Sequence, residues 1–114
     1  RQVIPGLGVS NTIRGAVAQW AKTLALELGP DGITINNILP GYTNTDRLKE
    51  LLEKWADNAG VSYDEMVESI ANKTSMRRIG EPQEIAYAVA FLASAAASYI
   101  NGTDFSIDGG RFGA

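Results

Sequence analysis

The sequence predicts an α/β fold in which helices connect parallel strands. Apolar residues recur at steps of three and four along residues 10–29, which is the spacing of one helix face. A β-branched run of strand length occupies residues 33–39, and a nearly all-apolar helical segment at 82–94 separates it from a short strand at 103–107. Helices between the strands imply crossover connections, hence parallel strands. Because two strands do not form a stable sheet, the pattern suggests the C-terminal part of a longer α/β protein.

The first helix carries a continuous apolar face about five turns long. This face comprises Ile13, Ala16, Val17, Trp20, Ala21, Leu24 and Leu28. We expect Ser10 or Asn11 to cap the first N–H groups, and Gly29 followed by Pro30 to end the helix. The residues before it contain a proline and two glycines without periodicity, so positions 1–9 are predicted to form a loop.

The strand at 33–39 is apolar on both faces, which is typical of a strand covered on each side in a parallel sheet. Asn36 and Asn37 interrupt that pattern, and each amide needs hydrogen-bonding partners inside a sheet. The chain then turns at Pro40 and Gly41.

Three further helices follow. Residues 46–60 form an amphipathic helix, and residues 62–73 a short one with Ser62 and Glu65 at the spacing of a capping box. Pro82 marks the start of the last helix, whose apolar surface has to be covered on two sides. The final four residues are predicted to be a tail.

Composition limits the chemistry. The 114 residues fit one domain, and ten basic against thirteen acidic residues give a net charge of -3, which disfavours nucleic-acid binding. Because the chain has neither cysteine nor histidine, thiol and imidazole catalysis and nearly every transition-metal site are excluded, and no metal is expected. The longest apolar run, 85–97, is too short for a membrane span and no leader opens the chain, so we expect a soluble, cytoplasmic protein.

Three segments together resemble the last half of a short-chain dehydrogenase/reductase, close to the branch of 3-oxoacyl-(acyl-carrier-protein) reductases. These segments are LALELGPDGITINNILPGYTNTD, RRIGEPQEIAYAVAFLAS and SYINGTDFSIDGG. They carry an N-x-x-x-P-G strand end from Asn36, a P-G-x-x-x-T loop ending at Thr45, an R-x-G-x-P-x-E-I-A helix start from Arg78, and a D-G-G turn from Asp108. The resemblance implies that residues 1–114 are the C-terminal half of one Rossmann-type, doubly wound domain, incomplete without a Gly-rich N-terminal half.

In the resembling family, the first helix carries a catalytic Y-x-x-x-K motif. Aligning back without a gap from the LALELG segment places those positions at Ser10 and Arg14, so both residues are substituted. Their spacing keeps them on one helix face. A serine hydroxyl is a much weaker acid than tyrosine, and arginine stays protonated but can still bind a ribose. Either Ser10 is a helix cap and Arg14 a surface or cofactor-edge cation, or the site is divergent with a displaced acid.

The resemblance also implies a cofactor loop that includes Pro40, Gly41, Tyr42 and Thr45. The backbone up to Tyr42 would border the nicotinamide, and the Thr45 hydroxyl would contact the carboxamide or the pyrophosphate. Alternatively, Thr45 or Asn44 only caps the helix that begins at position 46. The two roles of Thr45 are compatible.

Other polar residues have structural interpretations. Asn36 is expected to tie the strand to a loop. Arg77 and Arg78 lie in a solvated loop or have a carboxylate partner rather than binding an anion. The turn at 108–110 is expected at a subunit edge.

Two functions remain open. One is a parent oxidoreductase that transfers hydride between NAD or NADP and a carbonyl or alcohol substrate. The other is a catalytically lapsed relative kept for binding or oligomerisation. We expect this chain alone to bind no cofactor, to be inactive, and to form a homodimer or tetramer through segments 10–29, 82–94 and 103–107.

Overall fold

The computed structural model describes residues 8–111, and its elements follow the predicted order. In chain order they are helix α1 (Gly8–Leu28), a 3₁₀ turn (Gly29–Asp31), strand β1 (Asn37–Pro40), helices α2 (Asp46–Ala59), α3 (Tyr63–Ala71) and α4 (Pro82–Leu92), a second 3₁₀ turn (Ala95–Ala97) and strand β2 (Asp104–Ile107). The strands β1 and β2 are hydrogen-bonded, parallel neighbours. The predicted α/β class is therefore confirmed.

The chain divides into two compact units. One comprises residues 8–38 and 90–105, and the other comprises residues 39–89 and 106–111. The predicted N-terminal loop and C-terminal tail lie mostly outside the described residues. Gly8 and Val9, which we predicted to be loop, belong to α1.

In the first unit, the covered stripe of α1 matches the predicted face only in part, at Ala21. The buried residues are Ala18, Ala21 and Ala25, whereas Val17 and Trp20 remain 49% and 63% exposed. Small side chains permit close approach: a Cβ built on Gly102 would lie 3.7 Å from the Cβ of Ala25. The large apolar residues of α1 therefore stay available for contacts that this chain does not make.

Both ends of α1 also differ from prediction. Ser10 and Asn11 lie inside the helix, so the prediction that one of them caps it was wrong. At the other end, the 3₁₀ turn follows directly, and the left-handed residue is Gly32 with φ of 77° rather than Gly29. The 3₁₀ turn accommodates Pro30 near its start, where a missing N–H costs little.

Strand β1 begins four residues later than predicted, after a stretch in which asparagine side chains take over part of the pairing. The N–H of Ile35 donates to Asn101 Oδ1 at 2.9 Å, and Asn36 Oδ1 accepts the N–H of Thr103 at 3.0 Å. The backbone pairs once before the strand, where the N–H of Gly102 donates to the carbonyl of Ile35 at 2.8 Å, and pairing continues at Asn37, whose N–H donates to the carbonyl of Thr103. The residues of β1 are half-buried or exposed, not covered on both faces as predicted.

In the second unit, helices α2 and α3 pack together around Leu48, Leu52 and Ile70. The cap predicted at Ser62 is confirmed, because Ser62 Oγ accepts the N–H of Glu65 at 3.1 Å. Helix α2 ends at Ala59, one residue before the predicted bound, and the left-handed Gly60 follows it. Trp55 packs against this cluster and is half-buried.

Helix α4 begins at Pro82 as predicted and has no buried residue, so its apolar surface remains largely open. Tyr87 and Val89 are 71% and 50% exposed. Of the helices described, none combines the length and apolar character needed to cross a membrane.

Candidate functional site

Helix α1 carries, on successive turns, the two residues predicted to stand at the family's catalytic positions. Ser10 is half-buried and Arg14 is exposed. Because both residues lie within a continuous helix, their four-residue spacing places them on one face, as predicted. They belong to the first unit, whereas the predicted cofactor loop belongs to the second.

The predicted cofactor loop begins where β1 meets the end of β2. The N–H of Gly41 donates to the carbonyl of Ile107 at 3.0 Å. A Cβ on Gly41 would lie 2.6 Å from the Cβ of Asp108 and 2.7 Å from its Cα. Glycine is therefore required here by the packing of the two strand ends, independently of any ligand.

The rest of the loop is held by backbone hydrogen bonds to Gly80. The N–H of Gly80 donates to the Tyr42 carbonyl at 2.9 Å, and the N–H of Asn44 donates to the Gly80 carbonyl at 2.8 Å. These bonds accompany a parallel bridge between Thr43 and Gly80. The loop conformation is thus set by the segment that precedes α4.

Thr45 caps α2, as the structural interpretation of this residue expected. Its Oγ1 accepts the N–H of Leu48 at 3.3 Å, and its backbone is extended, as for an N-cap. Accepting this bond uses a lone pair of the hydroxyl, so the proton of Oγ1 can still be donated to an acceptor oxygen. Capping and ligand contact are chemically compatible at this residue.

Tyr42 joins this loop to the apolar cluster of the second unit. Its ring packs against that cluster, and the guanidinium carbon of Arg111 lies 4.2 Å from the ring centroid. Tyr42 also lines an open cavity of about 280 Å³ together with Trp55, Met66, Ile70 and Lys73. Most of these lining residues are apolar, and Lys73 is the only cation among them.

Arg78 and Glu84 form the shortest ion pair of the described chain. Two parallel hydrogen bonds join the guanidinium to the carboxylate at 2.6 and 2.7 Å. The hydrogen bond from Arg78, followed by that from the N–H of Glu81, lowers the pKa of Glu84 to about 2. The same pairing raises the pKa of Arg78. The carboxylate partner expected for the Arg77–Arg78 pair is therefore found at Arg78.

The segment between α3 and α4 also holds the C-terminal D-G-G turn. Ser75 Oγ and the N–H of Met76 both donate to the carbonyl of Gly109, each at 3.1 Å. Asp108 Oδ1 accepts the N–H of Gly110, so this carboxylate closes the predicted turn. Within residues 8–111, no group of three or more acidic side chains is arranged to hold a metal.

Asn36 has the structural role predicted for it, and Asn101 has a matching role that the sequence analysis missed. Asn36 Nδ2 donates to the carbonyl of Ile100 at 3.1 Å, while Asn101 Nδ2 donates to the carbonyl of Ala25 at 3.0 Å. The signal for Asn101 was its position before Gly102, whose φ is 71°, because Asn-Gly pairs mark turns.

Comparison with known proteins gives a consistent set of relatives. A family model described as Enoyl-(Acyl carrier protein) reductase matches residues 1–111. The short-chain reductase protein NovJ of Streptomyces niveus is 40% identical over 100 residues, covering 88% of this chain and 37% of NovJ. The NADPH-dependent reductase BacG of Bacillus subtilis is 36% identical over 101 residues, covering 89% of this chain and 39% of BacG.

A solved structure agrees with these relatives. A short chain dehydrogenase family protein from Francisella tularensis superposes with a TM-score of 0.83 at 39% identity, covering 88% of this chain and 41% of that one. The chain therefore spans about two fifths of the length of the proteins it matches.

Proposed function

The chain belongs to the short-chain dehydrogenase/reductase family, with a Rossmann-type architecture, and from this premise we propose that its parent protein is an NAD(P)-dependent oxidoreductase. The parent transfers hydride between the nicotinamide and a carbonyl or alcohol carbon of a small molecule. Residues 1–114 are the C-terminal part of its single domain and supply the substrate side. The observation that carries this proposal is the intact, tightly hydrogen-bonded P-G-x-x-x-T loop at residues 40–45.

The loop residues fit the cofactor chemically. Open α/β sheets bind ligands beyond the carboxyl ends of parallel strands, which is where Pro40, Gly41 and Tyr42 lie. The Thr45 hydroxyl keeps a donor for a carboxamide or pyrophosphate oxygen, and Arg14 offers a permanent cation for ribose or phosphate. The bound cofactor supplies or accepts the hydride; these residues would orient it. BacG uses NADPH, which makes NADP the first choice to test.

The cavity beside Tyr42 supports a substrate with an apolar portion. Trp55, Met66 and Ile70 contribute apolar side-chain surface to the lining, while Lys73 can pair with an acidic or strongly polar substituent. An acyl chain on a carrier, as in the 3-oxoacyl-(acyl-carrier-protein) reductase-like branch, provides the apolar portion of such a substrate.

The second candidate is a catalytically lapsed relative, and Ser10 and Arg14 favour it. A serine that is not activated by a base donates a proton poorly, and an arginine beside it supplies charge without supplying acidity. In this case the protein binds the cofactor or a partner without turnover.

The exposed apolar residues of α1 and α4 support a homo-oligomer, dimer or tetramer, in which segments 10–29, 82–94 and 103–107 pack between subunits. A cytoplasmic location is part of this proposal and fits the composition. A monomer in sedimentation at micromolar concentration would contradict this assembly.

Cofactor titration of the full-length protein tests the function. Quenching and energy transfer on adding NADPH or NADH report binding, and a panel of ketones followed at the nicotinamide absorbance reports turnover. Binding with turnover supports the oxidoreductase, and binding without turnover supports the lapsed relative. If neither cofactor binds, the enzyme proposal is wrong.

A further inference from the structure

We propose that the Arg78–Glu84 pair is a positioning device for residues 42–45, the loop that borders the cofactor if the proposed function is correct. Neither side chain needs to touch the cofactor. The pair acts through Gly80, which lies between Arg78 and Glu84 in sequence and makes the backbone contacts to the loop.

The first step is the restraint on Gly80. The Glu84 carboxylate binds Arg78 through two parallel hydrogen bonds, and Glu84 Oε1 also accepts the N–H of Glu81 at 2.9 Å. One carboxylate therefore fixes the residue that follows Gly80 and the one two positions before it. The backbone of Gly80 has little freedom to rotate while both attachments are made.

The second step is the transfer of this restraint to the loop. Gly80 donates to the Tyr42 carbonyl and accepts from the Asn44 N–H, so its peptide groups are bound on both sides. Asn44 Nδ2 also lies 3.4 Å from the Glu81 carboxylate. Because Thr45 follows at once and caps α2, a shift of Gly80 would displace the whole turn between β1 and α2.

The third step concerns the anchor of Arg78 itself. Thr74 is 4% exposed, and its Oγ1 accepts the N–H of Arg78 and lies 3.3 Å from the carbonyl of the same residue. The backbone of Arg78 is thus tied to a buried side chain. The guanidinium therefore projects from a fixed point.

Geometry distinguishes this pair from an ordinary surface ion pair. Exposed ion pairs contribute little unless they are bidentate and well ordered. Arg47 and Glu50 provide the contrast within the same unit, since their single contact is 4.0 Å long and their side chains are 76% and 73% exposed. They serve as a matched control.

Amide hydrogen exchange on the full-length protein, followed by NMR without cofactor, tests the proposal. In Glu84→Gln, we expect the amides of Asn44 and Gly80 to exchange about tenfold faster, with the Leu52 amide of the core unchanged. Arg78→Lys should fall between, because an ammonium cannot make the two parallel bonds. Glu50→Gln should leave all three amides unchanged.

Unchanged exchange at Asn44 and Gly80 would overturn the proposal, as would equal acceleration at Leu52, which indicates global unfolding. In a full-length protein, Glu84→Gln should also weaken NADPH binding about tenfold while Glu50→Gln does not, and equal affinities would again overturn it. If the unaltered full-length protein binds no NADPH, the proposed function fails, whereas the exchange result still decides whether the pair orders the loop.

Discussion

The side chain of Asn36 hydrogen-bonds to the backbone next to Asn101, and the side chain of Asn101 hydrogen-bonds to the backbone next to Asn36. Asn101 Oδ1 accepts the N–H of Ile35, and Asn36 binds the carbonyl of Ile100 and the N–H of Thr103. The donor and acceptor of both amides are thus used, so two side chains complete the pairing where the strand ladder has not yet begun. Through its bond to Ala25, Asn101 also attaches this junction to α1.

Removing either amide should destabilise the chain. We expect Asn101→Ala and Asn36→Ala each to lower the free energy of unfolding by about 1–3 kcal/mol, because each leaves backbone groups without a partner. Urea denaturation measures the change. Asn37→Ala is the control, since its one side-chain bond goes to the exposed Asp104 carboxylate and its loss should cost less. Equal losses for all three variants would contradict this.

Gly41 should not tolerate even a methyl group. In Gly41→Ala the new Cβ would sit 2.6 Å from Asp108, so the ends of β1 and β2 must separate, with an expected loss of about 1–3 kcal/mol. Gly15→Ala is the control: a Cβ there meets nothing within 4 Å, and alanine in a helix should stabilise by up to about 1 kcal/mol. Opposite shifts of the melting temperature are the expected result, and a stable Gly41→Ala would refute the packing argument.

These residues also show how far the sequence could be read. The helices were predictable because their periodicity and the cap at Ser62 are local signals. The start of β1 was not, because it depends on Asn101, which lies 66 positions after Ile35. Likewise, the covered stripe of α1 is set by what packs on it, and hydrophobicity alone favours the larger face.

The candidate site, too, was predictable only in part from the sequence. The cap at Thr45 and a carboxylate for Arg78 followed from spacing and charge. The sequence did not predict that Gly80 pairs with Thr43, because this pairing uses only backbone atoms and does not depend on the residue type. The chemical roles of Ser10 and Arg14 rest on the family motif and stay predictions.

A matched variant separates the two roles of Thr45, which are capping of α2 and contact with the cofactor. Thr45→Ala should cost about 1 kcal/mol of stability through loss of the α2 cap, and Ser62→Ala should cost about as much at α3. In a full-length protein, only Thr45→Ala should also weaken NADPH binding, while Thr45→Ser should retain it. Equal cofactor affinities for the two alanine variants would leave capping as the only role of this hydroxyl.

Acid should weaken the chain through Glu84 in a defined pH window. Its pKa is about 2 in the folded chain and 4.5 when unperturbed, so the unfolded chain takes up the proton first as the pH falls. The stabilisation by this carboxylate is therefore complete above about pH 4.5 and is lost progressively toward pH 2. We expect the difference in unfolding free energy between the unaltered chain and Glu84→Gln to shrink over this window.

Denaturation at a series of pH values measures that difference. Glu50→Gln is the comparison variant, because removing the long, exposed Arg47–Glu50 pair should change the free energy of unfolding little. Since the Arg78–Glu84 pair is itself largely solvent-accessible, 1 M salt should also reduce the effect. A Glu84→Gln difference that stays constant from pH 5 to pH 2 would show that the carboxylate is not held by Arg78 in solution.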